Sequence, residues 1–152
     1  QRAEELTVRT NQLNTTGATY SFDQLRRLLT SDRHDVLVVD LKDRFGAYGK
    51  IGLAVVDKSP RLWTVKLFLM SCRVMSTGVG SIFLRYIRSR ARDAGAELIV
   101  EFRQTDRNRM MYATLRLAGF TEGDRGEGTS LQLVDTSESL PGYPSYVRVA
   151  TP

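Results

Sequence analysis

The sequence predicts an α/β fold built on a mixed sheet, and three observations carry that prediction. An apolar run, Leu67-Phe68-Leu69-Met70, passes through a glycine-bearing turn (Gly78, Gly80) into an amphipathic helical stretch. A second apolar run, Leu98-Ile99-Val100, leads into another helical stretch that closes on Gly119. Ahead of both lie two β-branched runs, 35–41 and 51–56, joined by the turn-rich segment Asp43-Arg44-Phe45-Gly46-Ala47-Tyr48-Gly49. Hairpin-linked strands pair antiparallel and strands joined through a helix pair parallel, so both kinds of pairing belong to one sheet.

The elements follow in order. Residues 1–13 (Glu4, Glu5, Leu6, Val8, Leu13) read as a helix already under way at the first residue, broken by Asn14-Thr15-Thr16-Gly17. Ser21 stands three residues before Gln24, the spacing of a capping box, and Phe22, Leu25, Leu28 and Leu29 give that helix its apolar face. After the hairpin, Ser59-Pro60 turns the chain into a strand over 62–72. In the helix after the glycine turn, Ile82, Phe83, Tyr86, Ile87 and Ala91 make the core face, and Arg85, Arg88, Arg90 and Arg92 point outward. A strand over 97–102 precedes the Asn108 helix. The Gly-, Glu- and Asp-rich 120s read as a mobile loop before a last strand, 130–134. One domain is expected over 1–135, with a C-terminal tail over 136–152 that is loosely ordered unless Tyr143 and Tyr146 pack.

A chain of 152 residues is long enough for one domain with a core, and 41% hydrophobic and 26% charged residues suit a soluble globular protein. No run spans a bilayer and no signal-peptide pattern opens the chain, so no membrane partner is expected. A single cysteine excludes an internal disulfide framework and fits a reducing, cytoplasmic setting. With one histidine and no Cys/His cluster, no metal site is expected. The net charge of +5 comes from arginines scattered among acidic residues. That pattern points away from a nucleic-acid partner and allows weak attraction of anions such as CoA or an acidic carrier protein.

The most informative stretch is Met70-Ser71-Cys72-Arg73-Val74-Met75-Ser76-Thr77-Gly78-Val79-Gly80. A strand that turns through glycine into a helix presents several free N–H groups at the positive end of a helix dipole, which suits a phosphate. Arg73, Val74, Ser76, Thr77, Gly78, Val79, Gly80 and Ser81 are the candidate phosphate-binding residues. Gly-x-Gly alone is equally a tight turn. The second segment, Thr105-Asp106-Arg107-Asn108 through Gly119-Phe120, adds to it. Strand, glycine turn, helix, strand, Asn-led helix and Gly-Phe, in that order and spacing, resemble the Gcn5-related acyltransferase (GNAT) superfamily over about residues 35–135. The resemblance implies a strongly curved sheet whose central parallel strands, 62–72 and 97–102, splay apart to admit pantetheine, with Asn108 as a further contact. That superfamily normally begins with a strand, and none precedes the first helix here, so a piece of a longer protein is expected.

Three further motifs, Arg9-Thr10-Asn11-Gln12-Leu13-Asn14, Asp43-Arg44-Phe45-Gly46 with Tyr48-Gly49, and Ser71-Cys72-Arg73-Val74-Met75, resemble the C-terminal part of FkbH-like proteins. The resemblance implies an upstream phosphatase-like domain of the haloacid dehalogenase (HAD) type, acting on 1,3-bisphosphoglycerate. It also implies loading of a glyceryl unit onto the phosphopantetheine thiol of an acyl carrier protein in polyketide pathways such as methoxymalonyl or tetronate formation. No tightly bound cofactor is implied; the carrier's phosphopantetheine or CoA is the thioester carrier.

Two departures from CoA-dependent N-acetyltransferases stand out. Met75 takes the place where they carry Gln or Arg ahead of the first glycine. Leu115 takes the place of their leaving-group acid, with Tyr112 nearly a turn earlier. Thioester exchange is nearly isoenergetic and needs no strong acid, and Cys72 can accept the acyl group itself if neighbouring positive potential ionises it. The alternative is an inert core thiol. Glu101 is either a general base, a ligand of the glyceryl hydroxyls or a solvated strand-end carboxylate. Asn11, Gln12 and Asn14 suit polyol or pantetheine contacts, or cap the first helix and shape its turn. Asp43, Arg44 and Tyr48 serve the hairpin or, by the family resemblance, a ligand. Asn108 contacts pantetheine or a neighbouring strand, or caps its helix. His34 reads as an exposed loop residue, and Met70, Met75, Met110 and Met111 as packing. Three functions compete: acyltransferase of the glyceryl-to-carrier type, non-catalytic carrier-docking module, and CoA-dependent N-acyltransferase.

Overall fold

The computed structural model describes residues 13–125 and 130–151. The helix expected over 1–13 lies outside the described residues up to residue 12. Helix α1 (Phe22–Leu29) starts at the capping box read from the sequence: the Ser21 hydroxyl accepts from the Gln24 amide, and the Gln24 side chain accepts from the Ser21 amide at 2.8 Å. It buries Leu25, while Phe22 and Leu29 stay exposed. Strands β1 (His34–Asp43) and β2 (Gly46–Lys58) form a hairpin tighter than expected, its connection reduced to Arg44-Phe45. Asp43 builds that turn, accepting from the Phe45 amide at 2.8 Å and the Tyr48 hydroxyl at 3.0 Å. His34 opens β1 rather than a loop, its Nδ1 2.8 Å from the Ser31 hydroxyl.

Strand β3 (Leu62–Met70) ends two residues earlier than expected, because Cys72–Thr77 winds into a short 3₁₀ helix. Then come α2 (Val79–Asp93), β4 (Glu97–Arg103), α3 (Arg109–Leu117), β5 (Phe120–Arg125) and β6 (Ser130–Asp135). The sheet order is β1-β2-β3-β4-β6-β5, antiparallel throughout except for the central β3–β4 pair. Register shifts in the β1–β2, β2–β3 and β5–β6 ladders bend the sheet. The larger core lies on the α2 side, around Phe68, Phe83, Leu84, Ile87, Val100 and Phe102. A smaller one, Leu25, Leu53, Val55, Leu67 and Leu69, lies under α1.

Two expectations are corrected. The 120s are not a loop as a whole: Phe120–Arg125 is the edge strand β5, anchored by buried Phe120 and paired with β6. Its polar composition is how an edge strand avoids pairing with other chains, and it hides the strand from sequence reading. The four arginines of α2 do not simply point outward. Arg88 is 4% exposed and grips Asp135 through two bonds, Nε–Oδ2 at 3.0 Å and Nη2–Oδ1 at 2.9 Å. Arg90 pairs with Asp35 at 3.1 Å, Arg92 reaches Ser137, and Arg85 donates to the Pro141 carbonyl and lies 3.8 Å from the Tyr143 ring centroid. The tail is therefore fastened through Ser137, Pro141 and Tyr143, while Tyr146 is exposed.

Burial pushes the Asp135 carboxyl up, but hydrogen bonds from Arg88 and Ser137 outweigh it and hold Asp135 below the usual carboxylate range. Stabilisation from such a group is present above its unfolded value, about 3.9, and is lost as pH falls through the lowered folded value. Arg88→Ala strands a buried carboxylate, with Arg92 still 3.7 Å away. It should cost about 3 kcal/mol in urea unfolding at pH 7. Asp135→Asn should also destabilise at pH 7, and its stability should fall less steeply than the wild type's below about pH 4.

Candidate active site

The site is shaped by one extra residue. Across β2–β3, Val55 faces Leu67 but Val56 faces Val65, so Lys66 is bulged out of the ladder. The bulge reverses the alternation of β3: Trp63 and Val65 face the α2 side before it, Phe68 and Met70 after it. It also marks where β3 leaves β4, since their pairing runs from Leu62↔Glu97 to Val65↔Val100 and stops. Beyond that point the two strands diverge, as the splay expectation requires. A bulge bends its strand and raises the local twist, which accounts for the divergence.

The opening is not empty. Leu13, Asn14 and Thr15, all buried, run into it as a surrogate strand. Met70 donates to the Leu13 carbonyl at 2.9 Å, and Thr15 donates to the Phe68 carbonyl at 3.0 Å. The Phe68 amide in turn donates to the Thr15 hydroxyl at 3.0 Å. From the other wall, the Arg103 amide donates to the Thr15 carbonyl at 2.8 Å.

Asn108 locks the arrangement. Its Nδ2 donates to the carbonyls of Asn14 at 3.1 Å and Arg103 at 2.8 Å, and its Oδ1 accepts from the Thr105 amide at 2.9 Å. Its side chain thus does not cap α3 and is taken up by backbone. Asn14 is likewise committed: Oδ1 accepts from Thr16 and Gly17, and Nδ2 donates to Ala18. Asn11 and Gln12 lie outside the described residues.

At the C-terminal end of β3, the Ser71 amide donates to the Ile51 carbonyl, and Cys72–Thr77 follows as the 3₁₀ turn. Val74 and Val79 plug this turn into the core, so they can offer a ligand backbone rather than side chains. Cys72, Arg73, Ser76, Thr77 and Gly78 are exposed. Cys72 therefore lies at the surface and not in the core, where the alternative placed it. The Thr77 hydroxyl donates to the Val74 carbonyl at 2.6 Å. Gly78 has φ +73°, a left-handed conformation that glycine adopts without strain. Val79 and Gly80 stand in the first turn of α2, where helical amides have no intrahelical acceptor. From this first turn a groove of about 470 Å³ runs past Ser81, Arg85, Thr114 and Leu117 toward the tail. A pantetheine arm does not fit between β3 and β4 while Leu13–Thr15 lies there.

The remaining candidates are dispersed. Glu101 sits on β4 beyond the last β3–β4 pair, ion-paired with the bulged Lys66. Nearby Tyr20 is pushed up first by burial, with Lys66 and Glu101 acting in opposite senses. Sequence reasoning missed both Lys66 and Tyr20; the polar Lys66 between apolar Val65 and Leu67 was the available signal. Arg44 lies at the hairpin tip over the Phe45 ring, and no described contact brings it to Cys72. Leu115 is fully buried, and the Tyr112 hydroxyl is bound to Glu122, which raises its pKa.

No family model and no curated protein matches the sequence. Solved structures do match the fold. The ribosomal-protein-S18-alanine N-acetyltransferase of Escherichia coli superposes with a TM-score of 0.62 at 15% identity, over 87% of this chain and 82% of that one. A GNAT family acetyltransferase from Elizabethkingia anophelis, solved with acetyl-CoA bound, gives 0.54 at 16% identity, over 75% and 81%. The fold is that of the GNAT acetyltransferases. Ard1 from Thermoplasma volcanium shares this GNAT architecture at a TM-score of 0.58 and 18% identity, over 77% of this chain and 79% of that one.

Asn108→Ala leaves the Thr105 amide and the carbonyls of Asn14 and Arg103 without this partner. It should lower stability by about 2–4 kcal/mol, read from urea unfolding. A loss below about 1 kcal/mol would show that Asn108 does not hold Leu13–Thr15 in place.

Proposed function

We propose that this chain is the acyltransferase domain of an FkbH-like protein, helping to move a glyceryl unit from 1,3-bisphosphoglycerate to the phosphopantetheine thiol of an acyl carrier protein. The observation that carries this reading is the connection from β3 to α2. An exposed thiol, Cys72, and a helix N-terminus suited to phosphate stand on one short turn of a GNAT sheet. The upstream HAD-type domain hydrolyses the 3-phosphate ester, with water supplying the hydroxyl and inorganic phosphate leaving. The C1 acyl phosphate is then the glyceryl donor, and the carrier protein is the acceptor.

The chemistry asked of Cys72 is acyl transfer from the acyl phosphate, followed by thioester exchange. Its thiolate attacks the acyl-phosphate carbonyl; a C–S bond forms, the C–O bond breaks and phosphate leaves. The carrier thiolate then attacks that thioester, forming its own C–S bond and releasing Cys72 as thiolate. The departing thiolate needs no proton, which agrees with an apolar Leu115. Glu101 remains a candidate for the glyceryl hydroxyls.

A second reading, a carrier-docking module without chemistry of its own, is favoured by Leu13–Thr15, which fills the strand opening. Amine acetylation from CoA has less support, since the acid position is a buried leucine. Intact-mass analysis separates them: this chain and a carrier protein are incubated with the donor and the HAD half. A glyceryl adduct on this chain, and loading slowed at least 100-fold by Cys72→Ser, is the expected result. Wild-type loading by Cys72→Ser removes the thiol from the mechanism and leaves the docking reading.

A further inference from the structure

Where β3 and β4 diverge, the edge of β3 presents the Phe68 amide and carbonyl and the Met70 amide toward β4 with no strand to meet them. Buried backbone groups of this kind must be paired. The chain meets the need itself, through the Leu13 carbonyl and the Thr15 amide and hydroxyl, while the Thr15 carbonyl satisfies Arg103 on the opposite wall. We propose that Leu13–Thr15 is an autoinhibitory strap: an internal strand surrogate that competes with any extended, amide-bearing ligand for the β3 edge. The proposal rests on the reading of this chain as a handler of pantetheine thioesters.

Two features make the strap a competitor rather than a lining. It occupies the opening with backbone, the same donors and acceptors that an extended ligand adding to a sheet edge would use. Both cannot bond Phe68 and Met70 at once. It is also held from outside the opening. Asn14 folds its carboxamide back on Thr16, Gly17 and Ala18, setting the turn that aims the strap inward, and Gly17 takes φ +68° in that turn. Loosening that turn frees the strap without altering the walls. Pantetheine carries two amides on an extended arm, so it can replace part of the bonding the strap gives up.

The test uses the full chain with CoA as the probe, reading binding by calorimetry and amide exchange at Thr15, Phe68, Met70 and Arg103. Asn14→Ala should speed exchange at all four amides by about tenfold and tighten CoA binding by about the same factor, the worth of one to two net hydrogen bonds. In the wild type, saturating CoA should raise exchange at Thr15 while Phe68 and Met70 stay protected. Thr15→Val, which removes the hydroxyl acceptor, is the second variant should Asn14→Ala not fold, and it should also tighten CoA binding. The proposal is overturned if CoA saturates the protein with Thr15 exchange unchanged, if the folded variant binds CoA no more tightly, or if neither protein binds CoA. Carrier loading in the same samples separates the two ideas. Loading with Thr15 still protected sinks the strap and spares the proposed function; displacement without loading does the reverse.

Discussion

The bulge at Lys66 is the constraint from which the rest of the site follows. One inserted residue switches which face β3 turns to α2 and ends its pairing with β4. Parallel pairing is slightly less stable per residue than antiparallel, and a bulge disrupts the local ladder, so the separation occurs where the sheet gives way most readily. Everything beyond Val65 then responds to the edges so exposed. Leu13–Thr15 fills the opening, Asn108 ties it to both walls, and Lys66 turns its ammonium to Glu101.

The functional surface divides into a closed part and an open part. Between the strands, the polar side chains that sequence reasoning offered to a ligand, Asn14 and Asn108, are engaged with the chain's own backbone. At the turn into α2, Cys72, Arg73, Ser76 and Thr77 face solvent over a helix dipole. The turn into α2 is therefore open as the molecule stands, whereas an arm lying deep between β3 and β4 has to move something first.

Local features were legible in the sequence and distant ones were not. The Ser21–Gln24 capping box, the hairpin and the glycine that starts α2 depend on neighbours within a few residues, and all were readable. The order of strands and helices sufficed for the fold. Arg88 was not readable, because an arginine on a helix looks solvent-facing until its partner is known, and Asp135 lies 47 positions away. The strap was hidden for a similar reason: a three-residue bridge has no periodicity to detect. Strand β5 was masked by the polar residues that suit an edge, and only its buried Phe120 marked it. The bulge left a visible trace, the alternation in 62–66 giving way to unbroken apolar residues at 67–70, although a buried strand end writes the same pattern.

The ion pairs of α2 have a mechanical consequence. Arg88 holds Asp135 at the end of β6, and Arg90, two residues on, holds Asp35 near the start of β1. Those strands belong to opposite halves of the sheet, which are joined directly by the short β3–β4 ladder and, beyond it, through Leu13–Thr15 and the Lys66–Glu101 pair. The helix is thus a cross-brace on a wishbone, fixing how far its prongs stand apart. Its two fastenings differ in kind. The Arg88 joint is sheltered from solvent, whereas Arg90 is 36% exposed and open to screening by salt. The prongs carrying β1 should therefore yield to ionic strength before those carrying β6, giving the fork one stiff hinge and one compliant one.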